Sequence, residues 1–316
     1  MIDVKNLSKT YIDRKAVDNI TFQVNKGEIL GFLGPNGAGK TTTMKILSGF
    51  INASEGTAMV NGFDVKKETM NAKAAIGYLP ETPPVYLGME VEDYLRFAAR
   101  LHKVSKKNLK QAVESAMERV GVIDVRHRLI GNLSKGYRQR VGLAQAIAHN
   151  PPVLILDEPT VGLDPKQIIE IRNLIRSLRN AHTVILSTHI LPEVQAACDR
   201  VVVIDHGRIV ADDRLENIIN RAQGSVRVHL QLQNSPSENF LQKLKNLSGV
   251  TLLSTNKQRE AGEYILSLEF AKGKDLRSNV AELCVQERLG LLGLYQEKVS
   301  LEDAFVKLVT KDSVGG

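Results

Sequence analysis

A chain of 316 residues is long for one compact domain and comfortable for two. It is 43% hydrophobic and 24% charged, so cores of normal size are available and no staple is needed. Its net charge of +7 is spread in short clusters such as Lys106-Lys107 and Arg126-His127-Arg128. With only 5% aromatic residues, this favours a solvated basic surface over a platform for nucleic acid.

No stretch reaches the roughly 18–20 apolar residues that a spanning helix requires. The start, Met1 to Lys5, lacks a basic-then-apolar signal pattern. The expected location is therefore the cytoplasm, unless something holds the chain at a membrane. Cys198 and Cys284 have neither CxxC nor metal-ligand spacing and are expected as buried or half-buried thiols in a reducing compartment.

In chain order, Ile2-Asp3-Val4 and Ala16 to Val24 alternate apolar and polar residues as strands do, and the turn Asn25-Lys26-Gly27 follows. Glu28 to Leu33 is a nearly continuous apolar run suited to a buried parallel strand. A glycine-rich loop and a helix over 40–49 come next. Between about 90 and 130, Val91, Tyr94, Leu95 and Ala98 share one helical face, and Val113, Ala116, Met117 and Val120 another. Helices over 134–149, 166–179 and 191–197 then alternate with strands at 153–156, 183–187 and 201–205, which predicts a mostly parallel sheet covered on both faces. Beyond about 220 the order becomes strand 226–230, helix near 240–244, strands 250–255 and 263–270, helix 275–289, strand 291–297 and helix 301–311. That βαββαβ order predicts a small ferredoxin-like α+β domain over 221–316 after an α/β domain over 1–220.

Gly34-Pro35-Asn36-Gly37-Ala38-Gly39-Lys40-Thr41, followed by Thr42, fits GxxxxGK[ST] at every fixed position, with the required strand before it and helix after. Its glycines let backbone N–H groups converge on phosphate oxygens, and the positive end of the helix faces the same anion. Lys40 is expected to reach the β- and γ-phosphates of ATP and the Thr41 hydroxyl to ligate Mg²⁺. Val153 to Leu156 delivers Asp157 and Glu158 to the carboxyl edge of the sheet, Asp157 for Mg²⁺ and Glu158 to polarise the attacking water. Thr183 to Leu186 leads into Ser187-Thr188-His189, where His189 is placed to donate to the γ-phosphate and orient the water and Glu158.

Leu133-Ser134-Lys135-Gly136-Tyr137-Arg138-Gln139-Arg140 resembles LSGGQ, the signature motif of ABC ATPases. Ser134 is a good N-cap, so a helix N-terminus is offered to an anion. The resemblance implies head-to-tail pairing, in which Ser134 and Gly136 of one subunit hold the γ-phosphate bound by the other. It extends in family order over residues 1–220. Tyr11 stands where an aromatic stacks on adenine, Gly77-Tyr78-Leu79-Pro80-Glu81 looks like the Q-loop, Gly162-Leu163-Asp164 like the D-loop, and Thr188-His189 like the H-loop. The implied fold is a P-loop NTPase cassette with antiparallel β and helical subdomains.

Lys135 and Tyr137 depart from LSGGQ, and Glu81 replaces the usual Gln as a further metal and nucleotide contact. These variants resemble the ABC-2-type exporter branch of multidrug, gliding-motility and nitrous-oxide-reductase maturation systems. The resemblance implies an ATPase that cycles with dimer closing and opening, paired with itself or a sister cassette. It would be peripheral on the cytoplasmic face of the membrane, against a separately encoded integral-membrane permease. The rival is a soluble ABC ATPase acting on ribosomes or nucleic acid. Ribosome-acting members resemble two cassettes in one chain, whereas one phosphate loop occurs here. The roughly 90 residues between Lys40 and Leu133 cannot hold the long coiled coil of DNA-acting members. For the C-terminal domain, help in dimer assembly and small-molecule sensing are both open.

Overall fold

Three apolar runs of three to five residues, too short for helices, become the centre of the molecule. In the computed structural model, which describes residues 1–179, 181–222, 226–257, 263–271 and 274–297, these runs are β3 (Ile29–Leu33), β7 (Val153–Asp157) and β8 (Thr183–Thr188), buried along their whole length. Complete burial of each Val, Leu or Ile contributes about 1.5–3 kcal/mol relative to exposure. The chain divides into two compact units, Met1–Leu215 and a second beginning at Glu216.

In the first unit, β1 (Ile2–Tyr11) and β2 (Arg14–Val24) form a hairpin that continues into β4 (Glu55–Val60) and β5 (Phe63–Asp64), an antiparallel sheet ordered β2-β1-β4-β5. The second sheet adds β6 (Ile76–Leu79), β9 (Arg200–Asp205) and β10 (Arg208–Arg214) in the order β10-β9-β3-β8-β7-β6. All its pairs are parallel except β9 with β10. One core joins Val4 and Phe22 of the antiparallel sheet, Phe32 and Ile155 of the other, and Met44 and Leu47 of α1 (Lys40–Leu47). The Phe22 and Phe32 rings lie 5.4 Å apart.

The sheet order places the chemistry. β8 pairs with both β3 and β7, with Leu33 opposite Thr188 and Asp157 opposite Ser187. All three strands are parallel, so the phosphate loop, the acidic pair and His189 emerge side by side at one carboxyl edge.

Helices α3 (Val91–Leu101), α4 (Lys106–Val120) and α5 (Lys135–Ile147) follow the predicted faces: Val91, Tyr94, Leu95 and Ala98 are buried, as are Val113, Ala116, Met117 and Val120. The helix expected to start at Ser134 starts at Lys135 because Ser134 caps it, and α6 (Pro165–Leu178) is capped by Asp164 with proline in its first turn. α7 (Leu191–Ala197) completes the set. Cys198 is buried behind Gly31. Strands β4, β5, β6 and β10 and helix α2 (Thr69–Ala74) were not anticipated. Among the described residues, no helix is long and apolar enough to cross a membrane.

The division falls at the start of α8 (Leu215–Ala222). The second unit then runs β11 (Val226–Leu232), α9 (Glu238–Asn246), β12 (Val250–Lys257), β13 (Tyr264–Phe270), α10 (Arg277–Gln286) and β14 (Leu291–Gln296). Its sheet, ordered β12-β13-β11-β14, is antiparallel throughout, the ferredoxin-like arrangement. Period-two burial puts Val228, Leu230, Leu266 and Leu268 in one core with Phe240 and Leu244 of α9 and Val280 and Cys284 of α10. The helix expected over 301–311 lies outside the described residues.

Candidate functional site

The phosphate loop joins β3 to α1 without irregular residues at either end. Gly39, the cap of α1, has φ of 107°, where an L side chain is strained, and a Cβ there would stand 2.5 Å from the Ala16 carbonyl oxygen. Glycine is therefore required for the turn to pass under the hairpin. The first turn of α1 carries no acidic residue, so its positive end stays available to an anion. Lys40 is buried, and its Nζ donates to the Gly34 carbonyl at 2.8 Å and the Pro35 carbonyl at 3.2 Å. Asn36 and Gly37 are exposed at the rim while Gly34 and Ala38 are buried.

Across from Lys40 lies Glu158, 5% exposed, with φ of 50°. That left-handed backbone is uncommon for a non-glycine residue, and the Glu158 N–H bond to the Ser187 carbonyl (2.8 Å) helps hold it. The Glu158 carboxylate is 3.4 Å from Lys40 Nζ, and His189 Nδ1 lies 2.9 Å from each of its oxygens. The residues placed on three strands by sequence motif thus meet as one Lys–Glu–His group.

Asp157 is fully buried. One oxygen accepts from the Ser187 hydroxyl at 2.7 Å, while Oδ2 is buried without a hydrogen-bond partner. Burial pushes its carboxyl above the usual carboxylate range, against the stabilising hydroxyls of Ser187 and Thr41. An orphaned buried carboxylate oxygen beside a hydroxyl fits a hard cation. Among the described residues, no cluster of three His, Cys, Asp or Glu could hold a metal alone. Thr41 and Asp157 could supply part of the donor set of such a cation, with phosphate and water completing it.

A raised Asp contributes stability below its folded pKa and loses it as pH rises through that value, because the unfolded chain releases the proton first. Asp157→Asn keeps the Ser187 bond and removes this loss. The variant is expected to melt higher than the parent without nucleotide at neutral pH, while the rise produced by MgATP shrinks; paired calorimetric scans measure both.

Lys40, Glu158 and His189 line a cleft of about 670 Å³ with Tyr11, Arg14, Asn36, Gly37, Thr41, Thr42, Glu81 and Val161, whereas the buried Asp157 does not line it. Tyr11 and Arg14 are opposed across the two-residue turn between β1 and β2, which brings both to the rim, and Tyr11 is 45% exposed. Arg14 and Val161 were missed in the sequence. Arg14 could have been found only by reading the hairpin register.

Ser134, Gly136 and Asp164 do not line this cleft. Ser134 Oγ accepts from the Tyr137 N–H at 3.3 Å, and Asp164 Oδ1 from the Gln167 N–H at 2.9 Å. Gln167 also lies against Gly136, and Lys135 covers Gly162. The two helix starts therefore form one separate surface, linked through Gln167. Tyr137, in place of the usual Gln, donates its hydroxyl to Asp124 at 3.1 Å.

The family model described as ABC transporter matches residues 17–161. The uncharacterized ABC transporter ATP-binding protein YxlF of Bacillus subtilis is 33% identical over 98% of this chain and 99% of its own length. The bacitracin transport ATP-binding protein BcrA of Bacillus licheniformis is 32% identical over 100% of this chain and 99% of its own. Among solved structures, an ATP-binding subunit of an ABC transporter superposes with a TM-score of 0.64 at 30% identity, covering 70% of this chain and 92% of that one.

Proposed function

Because the chain belongs to the ABC transporter family, as one of its ATP-binding and ATP-hydrolysing subunits, we propose that it hydrolyses ATP in a head-to-tail dimer and thereby drives a separate membrane permease of the ABC-2 exporter type. The observation that carries this reading is the Glu158 carboxylate held between Lys40 and His189 at the mouth of a phosphate loop. In it, Lys40 leaves the loop carbonyls for the β- and γ-phosphates, and Tyr11 stacks on adenine. Glu158 takes the proton of the attacking water, and His189 holds that carboxylate and donates to the γ-phosphate. Thr41 and Asp157, with Glu81 near, would hold Mg²⁺, which would supply positive charge against that developing on the phosphates.

One cleft holds one half of the chemistry. Ser134, Gly136 and Asp164 lie elsewhere on the same unit, facing no phosphate of their own chain. A second copy, turned head to tail, supplies the missing helix N-terminus, so each γ-phosphate is held by two chains.

For the permease, the supporting feature is an apolar groove of about 400 Å³ lined by Phe50, Ile76, Tyr78, Pro80, Pro84 and His102. Tyr86, Leu87 and Leu101 add exposed apolar surface on the same unit, and Tyr86 packs on Phe97 at 5.6 Å between ring centroids. A patch of this kind marks an interaction site. Its lining residues Tyr78, Pro80 and Pro84 flank Glu81 in sequence, so a nucleotide in the cleft and a short permease helix in the groove would bear on one segment. In this reading the chain sits peripherally on the cytoplasmic face of the membrane. Replacing Tyr86 and Leu101 by Glu is expected to release the chain from membranes that carry its permease and leave the turnover of the isolated chain within about twofold. Co-sedimentation equal to the parent's would count against the docking site.

A further inference from the structure

Behind the Lys–Glu–His group lies a buried carboxylate that the mechanism does not use. Glu193, on α7, is 1% exposed. Its Oε1 accepts from the Thr160 hydroxyl and its Oε2 from the Thr188 hydroxyl at 2.8 Å. Thr188 Oγ1 in turn accepts from the Ile190 N–H at 3.1 Å. Thr160 and Thr188 are themselves 2% and 0% exposed.

The two threonines belong to different segments. Thr160 lies two residues beyond Glu158 on the segment leaving β7, and Thr188 is the last residue of β8, immediately before His189. A burial this complete costs several kcal/mol for an unpaired carboxylate, and a well-packed apolar side chain would avoid that cost. The carboxylate contributes what an apolar side chain cannot: a two-pronged acceptor joining the two segments that carry the base and its partner.

We propose that Glu193 is a positioning residue for ATP hydrolysis, a bridge between Thr160 and Thr188 that fixes the Glu158–His189 pair in register while touching neither substrate nor water. The inference rests on the roles of Glu158 and His189 given above. Glu158 already sits in left-handed backbone, so a loop released from the bridge has a relaxed conformation to fall into. Misplacement of a reacting group by about 1 Å costs about 10²-fold in rate. Glu193 does not line the cleft, so its replacement removes no nucleotide contact of its own.

The test measures kcat and KM for ATP on the full chain in four variants: Glu193→Ala, Glu193→Gln, Glu158→Gln, and Glu158→Gln combined with Glu193→Ala. Glu193→Ala is expected to lower kcat about 10- to 100-fold with KM within about threefold. Glu193→Gln, which still spans both hydroxyls, is expected to recover most of that loss. The combined variant should lose no more than Glu158→Gln alone, since a base that is absent cannot be mispositioned. Turnover of Glu193→Ala within threefold of the parent, or losses that multiply in the combined variant, would overturn the bridge and leave the role of Glu158 standing. Parental turnover in Glu158→Gln would instead defeat that role, and the bridge with it. Should Glu193→Ala not fold, Thr160→Val and Thr188→Val each remove one arm of the bridge and are judged by the same kcat and KM criteria.

Discussion

Glu158→Gln is expected to lower ATP turnover by about 10²- to 10⁴-fold while the affinity for MgATP stays near the parent's. The amide keeps the size of the carboxylate and can still meet Lys40 and His189, so the loop geometry survives. What it loses is the capacity to take a proton from water. Removing one negative charge 3.4 Å from Lys40 also leaves that ammonium freer for phosphate, so weaker binding is not expected. In the proposed cycle the dimer closes on bound ATP and opens on hydrolysis, so the same variant should accumulate as a closed pair. Rapid-quench turnover beside equilibrium nucleotide binding separates the two effects. An equal fall in both would point to a damaged pocket instead of a missing base.

Gly136→Asp is expected to abolish hydrolysis by a different route, with at least about a 10²-fold loss and little change in stability. Position 136 lies in the first turn of α5, where an acidic residue favours the helix. The added Cβ meets the far end of the Gln167 side chain, which can swing aside. The same carboxylate occupies the anion site offered by the helix and repels a γ-phosphate brought by the partner. Binding to the cleft of its own chain is untouched, since Gly136 does not line it. A fluorescent nucleotide titration with normal affinity, a melting temperature within a few degrees of the parent's and lost turnover is the predicted set. Normal turnover would remove the signature helix from the reaction.

The phosphate loop, Asp157, Glu158 and His189 were legible because each sits at the end of a short strand with an apolar centre, and a glycine-rich or polar segment follows. Such signals are local. Arg14 and Glu193 left no local trace. Arg14 reaches the cleft only through the register of β1 with β2, and Glu193 only because α7 folds back beneath two loops. The fold shows the same division. Amphipathic faces announced α3 and α4, and alternation announced β11 and β13. β4 begins with Glu55-Gly56-Thr57, a sequence that resembles a turn, and β6 has four residues ending at Pro80, so both escaped notice. They are strands because paired neighbours supply the hydrogen bonds that their own composition does not favour. In the second unit, the succession of strand and helix patterns was enough to expose the βαββαβ order, while the adjacency of β13 with β11 depends on long-range pairing.

The account depends on a nucleotide being gripped by two copies of the chain. Light scattering on the Glu158→Gln protein, with and without saturating MgATP, measures this most directly. The predicted result is a molar mass near 34.9 kDa alone and near twice that with MgATP, with the doubling lost when Gly136→Asp is added. A mass that stays near that of one chain while nucleotide is bound would contradict it.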